Sequence, residues 1–172
     1  MQLRAIQIAV TVILMIFAGN ALAQSTSRAS ANATVVAPVT MTKNVDMNFG
    51  NAAVSASTGG MVILSPGSSR TTSGGGITLP ATAGSVSAAG FTVSGAPGYT
   101  YNISLPGSAL ISGPGAATMT VTSFTSIPSA TGTLNAGGTQ ALYVGATLYV
   151  SPAQAAGIYT NAAAVPVTVN YN

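Results

Sequence analysis

The stretch Leu-Tyr-Val-Gly-Ala-Thr-Leu-Tyr-Val, residues 142–150, decides the fold class of this chain. Its even-numbered positions are apolar: Leu142, Val144, Ala146, Leu148 and Val150. Its odd-numbered positions hold Tyr143, Gly145, Thr147 and Tyr149. Because the side chains of a strand point alternately to its two faces, this period of two predicts a β-strand with one core face and one solvent face.

The same alternation recurs from residue 31 to the end of the chain, in short runs that glycine and proline interrupt. Alternating runs lie at 31–41 and 165–171, and a continuous apolar run at 61–64 suits a strand buried on both faces. Many short strands with glycine and proline turns are typical of all-β domains whose sheets pack face to face or close on themselves. We therefore expect one all-β domain at residues 24–172. The positions expected to face its core are Leu142, Val144, Leu148, Val165, Val167 and Val169.

The alternation separates two pairs of tyrosines. Tyr99 and Tyr101 share a face with Ile103, so both are predicted to lie in the core. Tyr143 and Tyr149 lie opposite the apolar face of their strand. We therefore expect Tyr143 and Tyr149 to be surface aromatics, which are the residues that a sugar-binding surface would use.

Residues 1–23 have the composition of a cleaved secretory signal peptide. Arg4 provides the positive start, and the run from Ile8 to Ala18 provides the apolar core. Ala21-Leu22-Ala23 then forms a cleavage site before Gln24. A membrane anchor is the alternative interpretation, but the apolar run falls short of the roughly 20 residues that a membrane-spanning helix needs. We expect an exported protein whose mature chain starts at Gln24.

Charged residues are few, and histidine and cysteine are absent from the sequence. The charged residues are Arg4, Arg28, Lys43, Asp46 and Arg70. Without histidine, cysteine or a second carboxylate, the chain lacks the groups for nucleophilic catalysis, glycoside hydrolysis or tight metal binding. The scattered cations form no patch that could follow a phosphate backbone. We therefore expect no enzyme activity, no cofactor, no metal site and no nucleic-acid partner.

Lys43 and Asp46 allow two interpretations. Some cell-surface sandwiches stiffen themselves with a Lys–Asn isopeptide bond that a nearby acid promotes, and asparagines are plentiful here. The alternative is a surface ion pair at the end of a strand, which contributes roughly 0–1 kcal/mol. The sequence favours the ion pair, because proximity along the chain does not establish the geometry that the isopeptide bond needs.

A series of motifs resembles, in sequence and in order, a bacterial exported family. The motifs are Ala-Thr-Val-Val-Ala-Pro-Val-Thr-Met-Thr-Lys at 33–43, Met-Asn-Phe-Gly at 47–50, Phe-Thr-Val-Ser-Gly at 91–95, Tyr-Thr-Tyr-Asn-Ile-Ser-Leu-Pro at 99–106, Val-Gly-Ala-Thr-Leu at 144–148 and Ala-Gly-Ile-Tyr-Thr at 156–160. The family is known as domain of unknown function 4402. It looks like a relative of the fimbrial and spore-coat-U-type subunits that periplasmic chaperones and ushers assemble. The shared features are the Ala-Gly-x-Tyr turn, the alternating final strand and the penultimate Tyr171.

The resemblance implies an immunoglobulin-like β-sandwich of the pilin or adhesin type, preceded by the cleaved signal peptide. Subunits of that type receive one strand from a neighbour, and the donor is an N-terminal extension with alternating apolar residues. The corresponding donor residues here are Ala31, Ala33, Val35, Val39 and Met41. The corresponding residues of the final strand are Val165, Val167, Val169 and Tyr171. The alternative is that residues 31–41 form the first strand of a complete sandwich.

We therefore expect an exported structural subunit of a fimbria-like polymer or coat on the surface of a Gram-negative bacterium. Its partners would be copies of itself or other surface subunits, with a periplasmic chaperone and an usher during assembly. The alternative function is a monomeric secreted adhesin or carbohydrate-binding module, in which Tyr143 and Tyr149 would contact the ligand.

Overall fold

A computed structural model describes residues 24–161 and 165–172 of the chain, and apart from one turn of 3-10 helix the regular secondary structure of this part is all β-strand. The elements are β1 (Thr40–Val45), β2 (Ala53–Val54), β3 (Gly60–Leu64), β4 (Arg70–Ser73), β5 (Ile77–Thr78), β6 (Ala89–Ser94), β7 (Thr100–Ser104), β8 (Ser108–Ser112), a one-turn 3-10 helix (Pro114–Ala116), β9 (Thr118–Ile127), β10 (Thr131–Thr133), β11 (Thr139–Val150) and β12 (Thr168–Tyr171). The predicted all-β class is confirmed. The predicted signal peptide at 1–23 lies outside the described residues. No helix in the described ranges is both long and apolar enough to cross a membrane.

Strand β11 is the centre of a seven-stranded sheet. On one edge it pairs first with β6, where Leu142 lies opposite Phe91, and then with β3, where Leu148 lies opposite Val62. On its other edge it pairs with β9, and β8 pairs with β9 beyond it. The sheet ends at β1 beside β6 and at β4 beside β3. The stretch that predicted the fold class is therefore paired on both edges.

A second sheet contains β10, β7 and β12 in that order, and a short third one pairs β2 with β5. The chain crosses from the three-stranded sheet to the seven-stranded sheet after β7. Strand β7 belongs to the former, and β8, which follows after three connecting residues, belongs to the latter. The C-terminal segment follows the same path. Thr168 pairs with Ser104, and Thr160 bridges Ser112 in the matching register. The sheets are curled, and the β7–β8 segment and the C-terminal segment each contact both of them.

Two clusters of buried side chains fill the interior, and β11 contributes to both. The first cluster contains Val62, Ile77, Ala109, Val121, Ala146, Leu148 and Val150. The second contains Ala89, Phe91, Val93, Tyr101, Leu134, Leu142 and Val144. The predicted core face of β11 is confirmed, and Val167 and Val169 of the C-terminal strand pack against the second cluster. Val165 is half-buried just before that strand.

The predicted solvent face of β11 is correct at its two tyrosines and wrong at Gly145 and Thr147, which are both buried. Thr147 is 8% exposed, whereas Tyr143 and Tyr149 are 47% and 46% exposed. Thr147 lies directly between Ile63 and Thr122 of the neighbouring strands. Alternation predicts which face a side chain takes, but a central position is also covered by its two cross-strand neighbours, which its own strand does not reveal.

The prediction of a strand over residues 31–41 is wrong for most of its length. Residues 24–35 are exposed and contain no strand, and Val35 is 95% exposed. Pairing starts only at Thr40, opposite Ser94, the last residue of β6. Residues before Thr40 thus extend beyond the end of β6, and an alternating pattern forms a strand only where another backbone accepts its hydrogen bonds. Only Thr40 and Met41 of the predicted strand are paired.

Candidate functional site

The C-terminal strand β12 lies at the edge of the smaller sheet and pairs with β7 alone among the described residues. The N–H of Asn172 donates to the carbonyl of Thr100 at 3.3 Å, which aligns the even-numbered residues of β12 with β7. By alternation, the backbone groups of Val169 and Tyr171 point away from β7. Their side chains pack on the second core cluster. The strand therefore presents unpaired backbone groups above an apolar interior.

Tyr171 fixes the end of this strand to two other segments. Its hydroxyl donates to the carbonyl of Ala37 at 2.9 Å and accepts a hydrogen bond from the N–H of Ala96 at 2.7 Å. Its ring lies 5.6 Å from that of Tyr99, between centroids. A Cβ at Gly95 would lie 2.2 Å from the Tyr171 hydroxyl oxygen, so only glycine fits there. The penultimate tyrosine thus connects β12 to the residues that precede β1.

The structure brings some of the predicted assembly residues together and leaves others apart. Val39 and Met41, like Val167, Val169 and Tyr171, pack against the second core cluster. The upstream candidates Ala31, Ala33 and Val35 are exposed and lie outside any strand. The predicted donor therefore has two parts. Val39 and Met41 pack on the core, whereas Ala31, Ala33 and Val35 have the same alternating pattern but no partner strand among the described residues.

Neither of these segments is protected by charge in the way that natural edge strands usually are. Charged side chains, inward lysines and bulges normally prevent an exposed edge from pairing with another chain. Strand β12 has no charged residue, and residues 24–39 contain only Arg28. Pro38 and Pro166 lie just outside the two strands. Strand β12 can therefore accept another strand with little electrostatic cost.

The other predicted aromatic sites have mixed outcomes. Tyr101 is fully buried, as predicted, and its hydroxyl donates to Oε1 of Gln140 at 2.8 Å. Burial raises the pKa of the Tyr101 hydroxyl above its usual value. The prediction that Tyr99 is core is wrong, because Tyr99 precedes β7 and is 45% exposed. Its position beside Tyr171 depends on a contact across the sheet that the alternation could not indicate.

Lys43 and Asp46 form an ion pair near the surface, with 53% and 79% of their side chains exposed. An isopeptide bond needs the lysine and the acid to be desolvated beside an asparagine, and both of these groups are open to solvent. Asn44, the asparagine between them in the chain, donates instead to the hydroxyl of Thr92 at 2.8 Å. The geometry thus agrees with the ion-pair interpretation.

Arg70 has a structural role that sequence reasoning missed. Its Nη1 donates to the carbonyl of Phe49 at 2.6 Å and to that of Asn51 at 2.7 Å. Gly50 between them has φ +67°, and a Cβ there would lie 2.8 Å from Nη1. The guanidinium therefore closes the loop between β1 and β2. No sequence signal could have indicated this, because the acceptors are backbone carbonyls about twenty residues away.

Replacing Arg70 by methionine should destabilise the domain by about 1–3 kcal/mol, because it removes two charge-assisted hydrogen bonds, one to the half-buried Phe49 carbonyl and one to the exposed Asn51 carbonyl. Methionine keeps most of the aliphatic stem, so the loss reports the hydrogen bonds. The matched control is Arg28→Met in the exposed N-terminal segment, which should change stability by less than about 0.5 kcal/mol. Urea unfolding followed by circular dichroism measures both, and coincident curves for the two variants would contradict the assigned role.

These observations define a class: an all-β domain with curled sheets whose candidate functional site is an uncharged terminal strand edge. The chain belongs to the family described as Domain of unknown function (DUF4402), whose model matches residues 39–171. The match confirms the resemblance to that family, and it starts at Val39, where the N-terminal segment first packs on the second core cluster. No curated protein and no solved structure matches the chain.

Proposed function

We propose that this chain is an exported structural subunit of a fimbria-like polymer or coat, assembled by β-strand pairing between copies. The observation that carries the proposal is the combination of two segments in one chain. Within the described part of the chain, strand β12 has one open edge, and residues 31–35 continue an alternating pattern with no partner strand. A donor without a strand partner and an acceptor with an open edge are the two halves of a head-to-tail contact.

In the proposed contact, the N-terminal segment of one subunit adds as a strand along β12 of the next. The outward backbone groups of Val169 and Tyr171 would provide the ladder hydrogen bonds, which give such contacts their strength. Ala31, Ala33 and Val35 would be directed onto the second core cluster, and alternate side chains filling a groove give such contacts their register. The contact is heterologous, so repetition would produce a filament rather than a closed dimer.

The proposal has three finer elements, which concern the fold, the export route and the transient partners. An immunoglobulin-like sandwich is supported by the second core cluster, which is formed jointly by strands of both larger sheets. Export through a cleaved segment at 1–23 would deliver the subunit to the periplasm and then to the surface of a Gram-negative cell. A chaperone that covers β12 until the donor arrives, and an usher, would be the transient partners, because an open apolar edge aggregates when unprotected.

Deletion of Ser25–Val35 from the full chain should abolish polymers and leave the domain folded, because no strand is removed. Sedimentation velocity and negative-stain imaging of the purified protein measure assembly, and circular dichroism measures folding. Val35→Asp should have the same effect as the deletion, since it would bury a charge in the next subunit. The matched control, Thr34→Asp on the opposite face of the segment, should still polymerise.

Two results would contradict the proposal. A truncated protein that unfolds would show that the segment is an internal part of the domain. A full-length protein that stays monomeric at high concentration, with no filaments on producing cells, would favour the alternative function of a monomeric adhesin.

A further inference from the structure

Exposed apolar side chains are concentrated in the strands of the seven-stranded sheet. The large hydrophobic residues of that sheet that are more than a third exposed are Val45, Ile63, Leu110, Ile127, Tyr143 and Tyr149. The strands β3, β6, β8, β9 and β11 contain no charged residue. Contiguous exposed apolar side chains on a soluble domain indicate an interaction surface. Without charged side chains, these strands offer no charge-assisted side-chain hydrogen bond to a phosphate or another ion.

Part of this surface is concave. A shallow depression of about 260 Å³ is lined by Pro66, Gly67, Ser68, Ile127 and Tyr143. Tyr143 and Ile127 lie directly opposite each other in β11 and β9 and are 47% and 59% exposed. The rim is formed by the turn that joins β3 to β4. The depression is therefore built on two paired strands, and only its rim belongs to a loop.

The rim is fixed by hydrogen bonds and left open by a glycine. The N–H of Ser68 donates to the carbonyl of Ser65 at 3.0 Å, and the Ser68 hydroxyl accepts from the N–H of Ala88 at 2.9 Å. A Cβ at Gly67 would find only the Ser65 hydroxyl oxygen nearby, at 3.7 Å. The turn is therefore held in place while its Gly67 side stays open to a ligand.

We infer that this depression binds one ring of an uncharged sugar within a glycan chain. A pyranose ring has an apolar C–H face and a hydroxylated edge. The ring of Tyr143 and the side chain of Ile127 would pack against the apolar face of the sugar. The Ser68 and Tyr143 hydroxyls and the turn backbone would form hydrogen bonds with its hydroxylated edge. The volume is below the roughly 300 Å³ at which pockets for drug-sized molecules begin, so it suits a single ring. The site lies on β11 and β9, and it does not depend on the assembly contact at β12.

The experiment is an amide NMR titration of the full chain carrying Val35→Asp, which should stay monomeric, purified from producing cells, with four neutral oligosaccharides: cellohexaose, maltohexaose, chitohexaose and mannohexaose. At least one should shift the amides of the lining residues. Tyr143→Ala should weaken that binding by about tenfold or more, equivalent to about 1.4 kcal/mol. Gly67→Leu should weaken sugar binding to a similar extent, because the leucine side chain would fill the depression while Tyr143 remains in place. The matched control is Tyr149→Ala, an equally exposed tyrosine of the same strand, which should bind within about twofold of the unaltered protein.

Four results would overturn the inference. The first is that none of the four sugars shifts the lining amides, and the second is that Tyr143→Ala and Tyr149→Ala bind the sugar equally tightly. A charged glycan, polygalacturonate, binding at the same site as tightly as the neutral sugars would exclude selection for an uncharged ligand. If no sugar binds and Tyr143→Ala loses self-association in sedimentation, the depression is instead a contact between copies of this chain.

Discussion

Replacing Val144 by aspartate is expected to leave the domain unfolded in buffer at neutral pH. Val144 is fully buried and lies between Ala89 of β6 and Ser126 of β9 in the centre of the larger sheet. A carboxylate there would lose its hydration without gaining a partner. Of the described cations, Lys43 and Arg70 are engaged with Asp46 and with backbone carbonyls, respectively, and Arg28 is exposed. We expect a loss of more than about 4 kcal/mol, which is comparable to the whole stability of a small domain.

The matched control is Ala141→Asp in the same strand. Ala141 is exposed on the opposite face of β11, so the same charge there remains hydrated and should cost less than about 1 kcal/mol. Circular dichroism measures whether each variant is folded, and urea unfolding measures the stability of any variant that is. Because burial raises the pKa of a carboxyl, the destabilisation of Val144→Asp should shrink as the pH is lowered. Equal losses at Val144 and Ala141 would show that the two faces of β11 are wrongly assigned.

The sequence predicted a strand correctly where an alternating pattern coincides with a partner strand in the structure. Strand β11 alternates over residues 142–150, and that alternation correctly placed Leu142, Val144 and Leu148 in the core. The period of a strand reports one buried face, and this information is local. The facing of Val167 and Val169 followed from the same argument and is also correct.

The errors share a different cause. Residues 31–39 alternate as well as β11 does, yet β6 ends at Ser94 and offers them no backbone. Thr147 has a polar side chain and is buried by its cross-strand neighbours, while Tyr99 follows a turn before its strand begins. Each error concerns which segments meet across the sheet, and a pattern within one strand contains no information about its neighbours.

The candidate site was predicted in part for the same reason. The terminal segments were identifiable, because a lack of charge and an alternating pattern can be read from residues directly. The hydrogen bonds of Tyr171 to Ala37 and Ala96 could not be predicted from the sequence, because they join residues 134 and 75 positions apart. The depression at Tyr143 likewise depends on the register of β11 with β9 and on the β3–β4 turn. Only the exposure of Tyr143 was predictable.

Replacing Gly145 by alanine should destabilise the domain by about 3 kcal/mol, the upper end of the usual cost of overpacking. At Gly145, β11 changes its partner from β6 to β3. A Cβ at this position would lie 2.3 Å from the carbonyl oxygen of Leu64 and 2.6 Å from the carbonyl carbon of Ser65. These are backbone atoms at the end of β3, so relieving the clash requires the β3–β4 hairpin to move away from the centre of the sheet.

The matched control is Gly107→Ala, between β7 and β8. A Cβ at Gly107 would meet nothing within 4 Å, and its φ lies outside the left-handed region, so alanine there should be neutral or slightly stabilising. Urea unfolding compares the two variants against the unaltered chain. If both alanines have the same small effect, the hairpin yields easily, and the close approach of β3 to β11 is not what fixes the exchange of strand partners. A large loss confined to Gly145→Ala would show that this single glycine allows β6 and β3 to share one edge of β11.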